Sequence, residues 1–427
     1  IGVFFLAMEL SEAFYSGLSL VDTGTLQQAS SDDEAFRELY ATVVANFKSG
    51  SVQGNKTAMY NAINKNNPTS TLYNDMAAAM SAVLGTRSKL GLGLPEAVFL
   101  TGSTWPEEVR KFQIDGFGMK DYNSSDVILR YGVTYVGISL KKKPTTASQS
   151  PTLLNNSLAT FLSGPELRTL KNRIDDIRVE FFANIVKEAC ISGPLQGIAE
   201  CDNIQSLDPS KKTDAEKIWK TKVLRRKSDG STQKVPLFNV KSVDELVNGG
   251  SAQTGVKDAM RKFVNSKLYS AQGGSLNPLF QAFLDVMSDP RVADTLADSI
   301  LHKSLKLKLM DSLDTWQSYE YKFYLVEGVG RYTRRGPDVS NANVTNIHSA
   351  MIGLIMLSKL PTRMVVNRAK TMTGSRASVT FDLYKGDYPI LEVILRYKGN
   401  FSSLPMFLAT TTPKFKEIVR MGEVALR

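Results

Sequence analysis

Asp126, Ser139 and Lys141 are the residues whose types and spacing best suit chemistry on a phosphate ester. Hydrolysis of such an ester uses a divalent ion, an activated water and charge stabilisation at phosphorus. An ion such as Mg²⁺ prefers hard oxygen ligands and keeps several waters, so one carboxylate and a carbonyl can suffice beside the substrate. A nearby ammonium group orients the water or balances developing negative charge. Ser139 and Lys141 lie two apart, on one face of an extended strand. Asp126 precedes Ser139 by 13 positions, enough for a strand, a turn and a return.

The flanking sequence must build that hairpin. Asp126-Val-Ile-Leu-Arg-Tyr reads as a strand, Gly132 and Val133 as a turn, and Thr134 to Lys141 as the returning strand. The basic run Lys141-Lys142-Lys143 and Pro144 close it. Ala97-Val-Phe-Leu is a short β run upstream. Residues 9–90 read as mainly helical. Ser30-Ser-Asp-Asp33 caps a helix whose Phe36, Leu39, Val43 and Phe47 form one apolar face, and a second helix runs from about Thr71 to Gly85 behind Ser70. Helix returns over 151–190, 203–235 is polar and basic, and 250–312 is helical again. Beyond 313, β runs begin near Tyr321, Met364, Ala377 and Ile390.

On Ser125-Asp126 followed by Ser139-Leu140-Lys141, the chain resembles the restriction-endonuclease-like, or PD-(D/E)XK, nuclease superfamily. There an Asp opens one strand and an acid-x-Lys triplet lies in the next. The likeness is to restriction- and phage-encoded members with an Asp…Ser-x-Lys motif. Asn123-Ser-Ser before the Asp, Gly137 to Lys143 after it, and Pro151-Thr-Leu-Leu-Asn155 at the spacing of a following helix add to it. Leu391 to Phe401 is similar to the late strand that such enzymes place beside the active hairpin. Ser125 stands where the family has Pro, and Ser139 where it has an acid.

The resemblance implies a mixed α+β fold: a restriction-endonuclease-like central sheet flanked by helices, with large, mainly helical additions. It implies that Asp126 and the carbonyl of Leu140 hold Mg²⁺ or Mn²⁺. Ser139 would assist through its hydroxyl or a bound water, Lys141 would position the nucleophile, and Arg396 and Lys398 would contact phosphate. The missing acid is expected from Glu96, Glu107, Glu108, Glu38 or Asp75. The implied activity is endonucleolytic hydrolysis of DNA. The alternatives are a phage structural protein (virion, portal or neck associated) on a nuclease-like core, and a nucleic-acid-binding protein without catalysis. The expected organisation is a helical region 1–90, a first part of the core 91–200, a basic helical insertion 201–312 and a β-rich part 313–427 completing the core sheet.

Composition agrees with a globular chain bound to a polyanion. Of 427 residues, 42% are hydrophobic, and 52 Lys and Arg against 42 Asp and Glu leave +10. Lys142, Lys143, Lys222, Arg225 and Arg226 are candidate phosphate contacts. Eight Lys or Arg fall between Lys211 and Lys227, around a Trp219 that either stacks on a base or packs inside. Gly328-Val-Gly330-Arg331 to Gly336 resembles a phosphate-gripping turn but lacks the Gly-Lys-Ser/Thr ending of a P-loop. Cys190 and Cys201 lack the partners of a zinc site and read as two buried thiols in a reducing compartment. His302 and His348 have no partner motif and read as structural. No Gly-x-Ser-x-Gly elbow supports acyl transfer. No apolar run approaches a membrane span, so the expected partners are DNA, a second copy or viral particle components, in the cell interior or a virion. The seven residues before Met8 receive no function.

Overall fold

The computed structural model describes residues 2–54, 56–101, 105–112, 125–146, 153–162, 167–196, 200–226, 231–236, 263, 266–267, 278–287, 290–305, 320–367, 378–396 and 405–426. The first helices are α1 (Gly2–Leu18), α2 (Thr23–Ala29), α3 (Asp33–Lys48), α4 (Thr57–Ile63) and α5 (Ser70–Leu90), with the short strand β1 (Val52–Gln53) among them. Then come β2 (Ala97–Leu100), a 3-10 turn Glu107–Phe112, β3 (Val127–Tyr131) and β4 (Thr134–Lys143). The middle of the chain carries β5 (Leu154–Ser157), α6 (Leu158–Phe161), α7 (Arg168–Ser192), α8 (Glu200–Gln205), α9 (Lys212–Lys220), β6 (Lys222–Arg226), β7 (Thr232–Pro236), α10 (Pro278–Met287) and α11 (Pro290–Leu305). The last part holds β8 (Tyr321–Thr333), β9 (Gly336–Asn346), α12 (Ile347–Met356), β10 (Thr362–Val366), β11 (Ser378–Lys385), β12 (Tyr388–Arg396), β13 (Met406–Thr411) and α13 (Phe415–Ala425). The fold is mixed α and β, as the sequence implies.

Two units divide the chain. One comprises Ile1–Leu153, Leu301–Leu360 and Thr410–Arg427; the other comprises Leu154–Ile300 and Pro361–Ala409. In the first, a six-stranded mixed sheet runs in the order β1-β2-β3-β4-β8-β9. β2, β3 and β4 form an antiparallel meander, and β8 lies parallel to β4. Gly132 takes a left-handed φ of 60° at the β3–β4 turn, which a side chain would resist.

Strand alternation gives this sheet two different faces. Val136, Ile138 and Leu140 join Val127, Leu129, Tyr324 and Val326 in a core shared with α1, α3 and α5. Tyr135, Ile128, Phe99 and Ala97 pack on the other face against Trp105, Val109 and Phe112. α3 forms where the Asp32 side chain accepts the Ala35 N–H at 2.9 Å, and Phe36, Leu39, Val43 and Phe47 are all buried. α5 is capped by Thr69, one residue before the expected Ser70, and stops at left-handed Gly91.

The second unit has its own sheet, ordered β10-β11-β12-β13-β5. Its helices α7, α8 and α9 bury Ala183, Val186, Cys190, Cys201, Ala215 and Ile218 together. Cys190 and Cys201 are joined in a disulfide there. This overturns the expectation of two thiols: the packing of α7 against α8 brings their Cα atoms to 5.3 Å, within bonding reach.

The expected domain boundaries need revision. Residues 1–90 are not a separate helical region, because α1, α3 and α5 share one core with the hairpin strands. Only β8 and β9 of the C-terminal part complete the hairpin's sheet; β10 to β13 belong to the second sheet. Leu154–Ser157 pairs with β13 as a strand, where a helix start was expected. The Gly328-Gly330 stretch is no phosphate turn but continuous strand in β8. A Cβ at Gly328 would run into Ala78, and one at Gly330 into Ala77, so these glycines let α5 approach the sheet.

Candidate functional site

Asp126 stands where the β3–β4 ladder ends. The last regular pair is Val127 with Ile138, and the Asp126 N–H still donates to the Ile138 carbonyl at 2.7 Å. One step further the side chain replaces the ladder. Asp126 Oδ2 accepts the Leu140 N–H at 2.6 Å. In an extended strand the N–H and C=O of one residue point the same way, so the Leu140 carbonyl faces the edge that carries Asp126. The local sequence explains the approach. Ser125 Oγ lies 2.5 Å from the Tyr321 hydroxyl, and both sit over Gly137, whose missing side chain leaves the space. The carbonyl of Ser125 accepts the Thr101 hydroxyl. The residue before the Asp is thus held from the end of β2 and from β8.

Ser139, Lys141 and Lys143 follow on the face opposite the α1–α3–α5 core. Ser139 is buried, whereas Lys141 is half-buried and its side chain has no hydrogen bond or ion pair among the described residues. In the parallel register Lys141 sits beside Glu327 of β8. Glu327 is buried and accepts the Asn343 amide N–H at 2.9 Å. The sequence reading missed it, because Glu327 becomes Lys141's neighbour only through a parallel pairing across nearly 190 positions.

The expected acids lie elsewhere. Glu108 accepts from Arg130 at 2.6 Å and from Tyr135 at 2.8 Å. Burial alone would raise its carboxyl, but those two donors bring it below the ordinary carboxylate range. Glu96 accepts the Gly132 N–H, placing it at the turn end of the hairpin. Glu107 pairs with Arg110, and Glu38 is exposed on α3. Asp75 is fully buried on α5 and is bonded to Lys142 and to Ser11. Burial drives its carboxyl above the usual range against the pull of Lys142 and Ser11. Lys142 therefore points to the helix side, away from Lys141, and serves an internal ion pair rather than the candidate phosphate contact.

The remaining basic candidates separate. Lys143 lines a cleft on the Lys141 face. Lys222, Arg225 and Arg226 lie on β6, a two-stranded ribbon with β7 in the second unit. Arg396 ends β12 in the five-stranded sheet, so the strand beside the hairpin is β8 and not Leu391–Arg396. The late-strand expectation fails because β12 lies between β11 and β13, so both of its edges are used within the five-stranded sheet. Lys398 and Lys227 lie outside the described residues. Trp219 is half-buried and packs on Phe182 at 6.1 Å between ring centres, with the Arg178 guanidinium 4.8 Å from its ring. His348 lies exposed at the start of α12, where partial burial lowers its imidazole.

Among the described residues no three His, Cys, Asp or Glu side chains gather as a metal cage, and no helix is long and apolar enough to cross a membrane. Comparison with known protein families, curated proteins and solved structures finds no match to this chain.

Proposed function

We propose that the protein is a metal-dependent endonuclease of the restriction-endonuclease-like type, acting on DNA at the Asp126–Lys141 hairpin. The observation that carries the reading is the 2.6 Å bond from the Leu140 N–H to Asp126 Oδ2. It sets a carboxylate and a strand carbonyl on one edge, with Lys141 next in the strand. That donor set is hard oxygen, and it suits Mg²⁺ or Mn²⁺, which complete their shells with water. Asp126 and the Leu140 carbonyl would hold the ion, which when bound supplies charge stabilisation and a more acidic water.

The chain's own groups do the rest. The Lys141 ammonium holds the attacking water and balances charge on the phosphoryl oxygens. Water oxygen bonds to phosphorus and gives up a proton to solvent, the bond to the leaving oxygen breaks, and that oxygen takes up a proton from solvent. Ser139, buried on the same strand face as Lys141, would assist through its hydroxyl or a bound water. Cutting both strands of a duplex takes two such sites, so a homodimer belongs to this reading.

The test is plasmid cleavage with Mg²⁺ or Mn²⁺ by wild type, Asp126→Ala and Lys141→Ala. Each substitution is expected to lower the rate by at least about 100-fold, the scale of lost charge stabilisation or acid–base help. Activity that survives both unchanged removes the hairpin from the reaction. Ser139, a hydroxyl in place of an acid, favours one second reading: salt-sensitive DNA binding without cleavage, which chelator would leave untouched.

A further inference from the structure

Beside Lys141 the same sheet face opens into a cleft of about 580 Å³, within the range of small-ligand sites. Glu327, Asn341 and Asn343 line it from β8 and β9, and α13 forms the opposite wall. Glu327 is 4% exposed, and among the described residues its side chain has one hydrogen bond, from Asn343, and no ion pair. A carboxylate can accept about four donors. Neither Glu327 oxygen is among the enclosed unpartnered side-chain atoms, so its remaining acceptor capacity is open to the cleft, where water or a ligand N–H can reach it. The β8–β9 register shifts between Glu327 and Val329, a bulge of the kind that re-aims side chains beside sites.

The mouth carries the opposite charge. Lys143, Lys416 and Arg420 line it together with Glu423, which is paired with Lys89 at 3.4 Å; Lys416 and Arg420 are exposed and form no ion pair among the described residues. Leu325, Val344 and Phe415 add apolar wall between floor and mouth. A ligand matching this cleft has N–H donors at one end, a flat apolar middle and an anionic group at the other.

We propose that the cleft binds one unpaired guanine nucleotide. The N1–H and N2 amino group of guanine donate in parallel to the Glu327 carboxylate, and its phosphate sits among Lys143, Lys416 and Arg420. Adenine, cytosine and thymine do not offer that adjacent pair of donors. The same edge is occupied by pairing in a duplex, so the base comes from a single strand, an extruded position or a free nucleotide. The inference rests on the endonuclease reading only in taking a nucleic-acid strand as one source of that nucleotide.

Fluorescence anisotropy of the full chain in EDTA tests it without any cleavage in the readout. The probes are dye-labelled oligomers of about ten nucleotides: all thymidine, one central dG, or one central deoxyinosine, which lacks the N2 amino group. The dG oligomer is expected to bind about tenfold tighter than oligothymidine, with deoxyinosine losing most of that gain. Glu327→Gln removes the preference, and Lys416→Ala with Arg420→Ala weakens all three alike. Displacement by GMP identifies a free nucleotide as sufficient; displacement only by the dG oligomer identifies the strand, and either supports the site. Equal binding of the dG and thymidine oligomers by wild type overturns it, as does a preference that Glu327→Gln keeps. The dG and deoxyinosine comparison uses wild type alone, so it decides the matter even if Glu327→Gln does not fold. A loss of cleavage in Asp126→Ala with the dG preference intact separates the two sites.

Discussion

Asp126 depends on neighbours that themselves do no chemistry. Tyr321 and Ser125 share a 2.5 Å hydroxyl contact above Gly137. Gly137→Ala puts a methyl into both hydroxyls, and overpacking of this kind costs about 1–3 kcal/mol. Urea unfolding is expected to show that loss, with plasmid cleavage falling further than stability alone accounts for. Tyr321→Phe is milder, removing one hydrogen bond worth about 1 kcal/mol. If Gly137→Ala is as stable and as active as wild type, the Ser125–Tyr321 contact does not position Asp126. Asp75 makes a second residue-scale prediction. Its carboxyl is raised in the folded protein, first by burial, while Lys142 is the charged group bonded to it. A raised acid binds more protons folded than unfolded, so stability falls as pH rises from the ordinary carboxylate value through the raised one. Wild type minus Asp75→Asn, measured by denaturant unfolding from pH 4 upward, is expected to shrink over that window. A flat difference would deny the burial of that charge.

At the scale of elements, α5 and β8 determine where the hairpin stands. Every α5 residue from Asp75 to Val83 is buried, and the helix lies against β8 through Ala77 and Ala78. Gly328 and Gly330 permit that closeness. Gly330→Val is expected to destabilise by at least about 1–3 kcal/mol, through overpacking against backbone that cannot rotate away. Thermal melting reads this directly, and hydrogen exchange is expected to quicken in both α5 and β4. Exchange that quickens in β8 alone would show that α5 does not brace the hairpin. The hairpin, α3 and α5 were all legible in the sequence, since each rests on local period, caps and turn glycines. The place of Gly328-Gly330 was not, because a glycine facing a helix and a glycine in a phosphate loop look alike without the partner.

The two units of the molecule differ in what holds them. The Asp126 unit rests on a large apolar core, whereas α7, α8 and α9 close around a smaller cluster that includes the Cys190–Cys201 disulfide. A crosslink closing a loop of this size contributes about 2–3 kcal/mol. Cys190→Ala with Cys201→Ala, or reduction by dithiothreitol, is expected to speed hydrogen exchange over 183–218 and leave the Asp126 hairpin protected as before. Unchanged exchange in α7 to α9 after reduction would make the disulfide incidental to that unit.

The sequence by itself determined the local pieces: an Asp opening a strand, a glycine turn, a Lys-bearing return strand and capped amphipathic helices. Each follows from forces acting within about twenty residues. Tertiary structure alone decided which strand lies beside Lys141, which acid accompanies it, and which lysine of the Lys141-Lys142-Lys143 run is spent on Asp75. Those outcomes depend on a parallel pairing between distant segments and on strand alternation against a particular helix, and single-residue patterns do not carry register across such separations. The Asp126 to Lys141 hairpin is therefore a sequence feature, whereas Glu327 and its cleft are products of the fold.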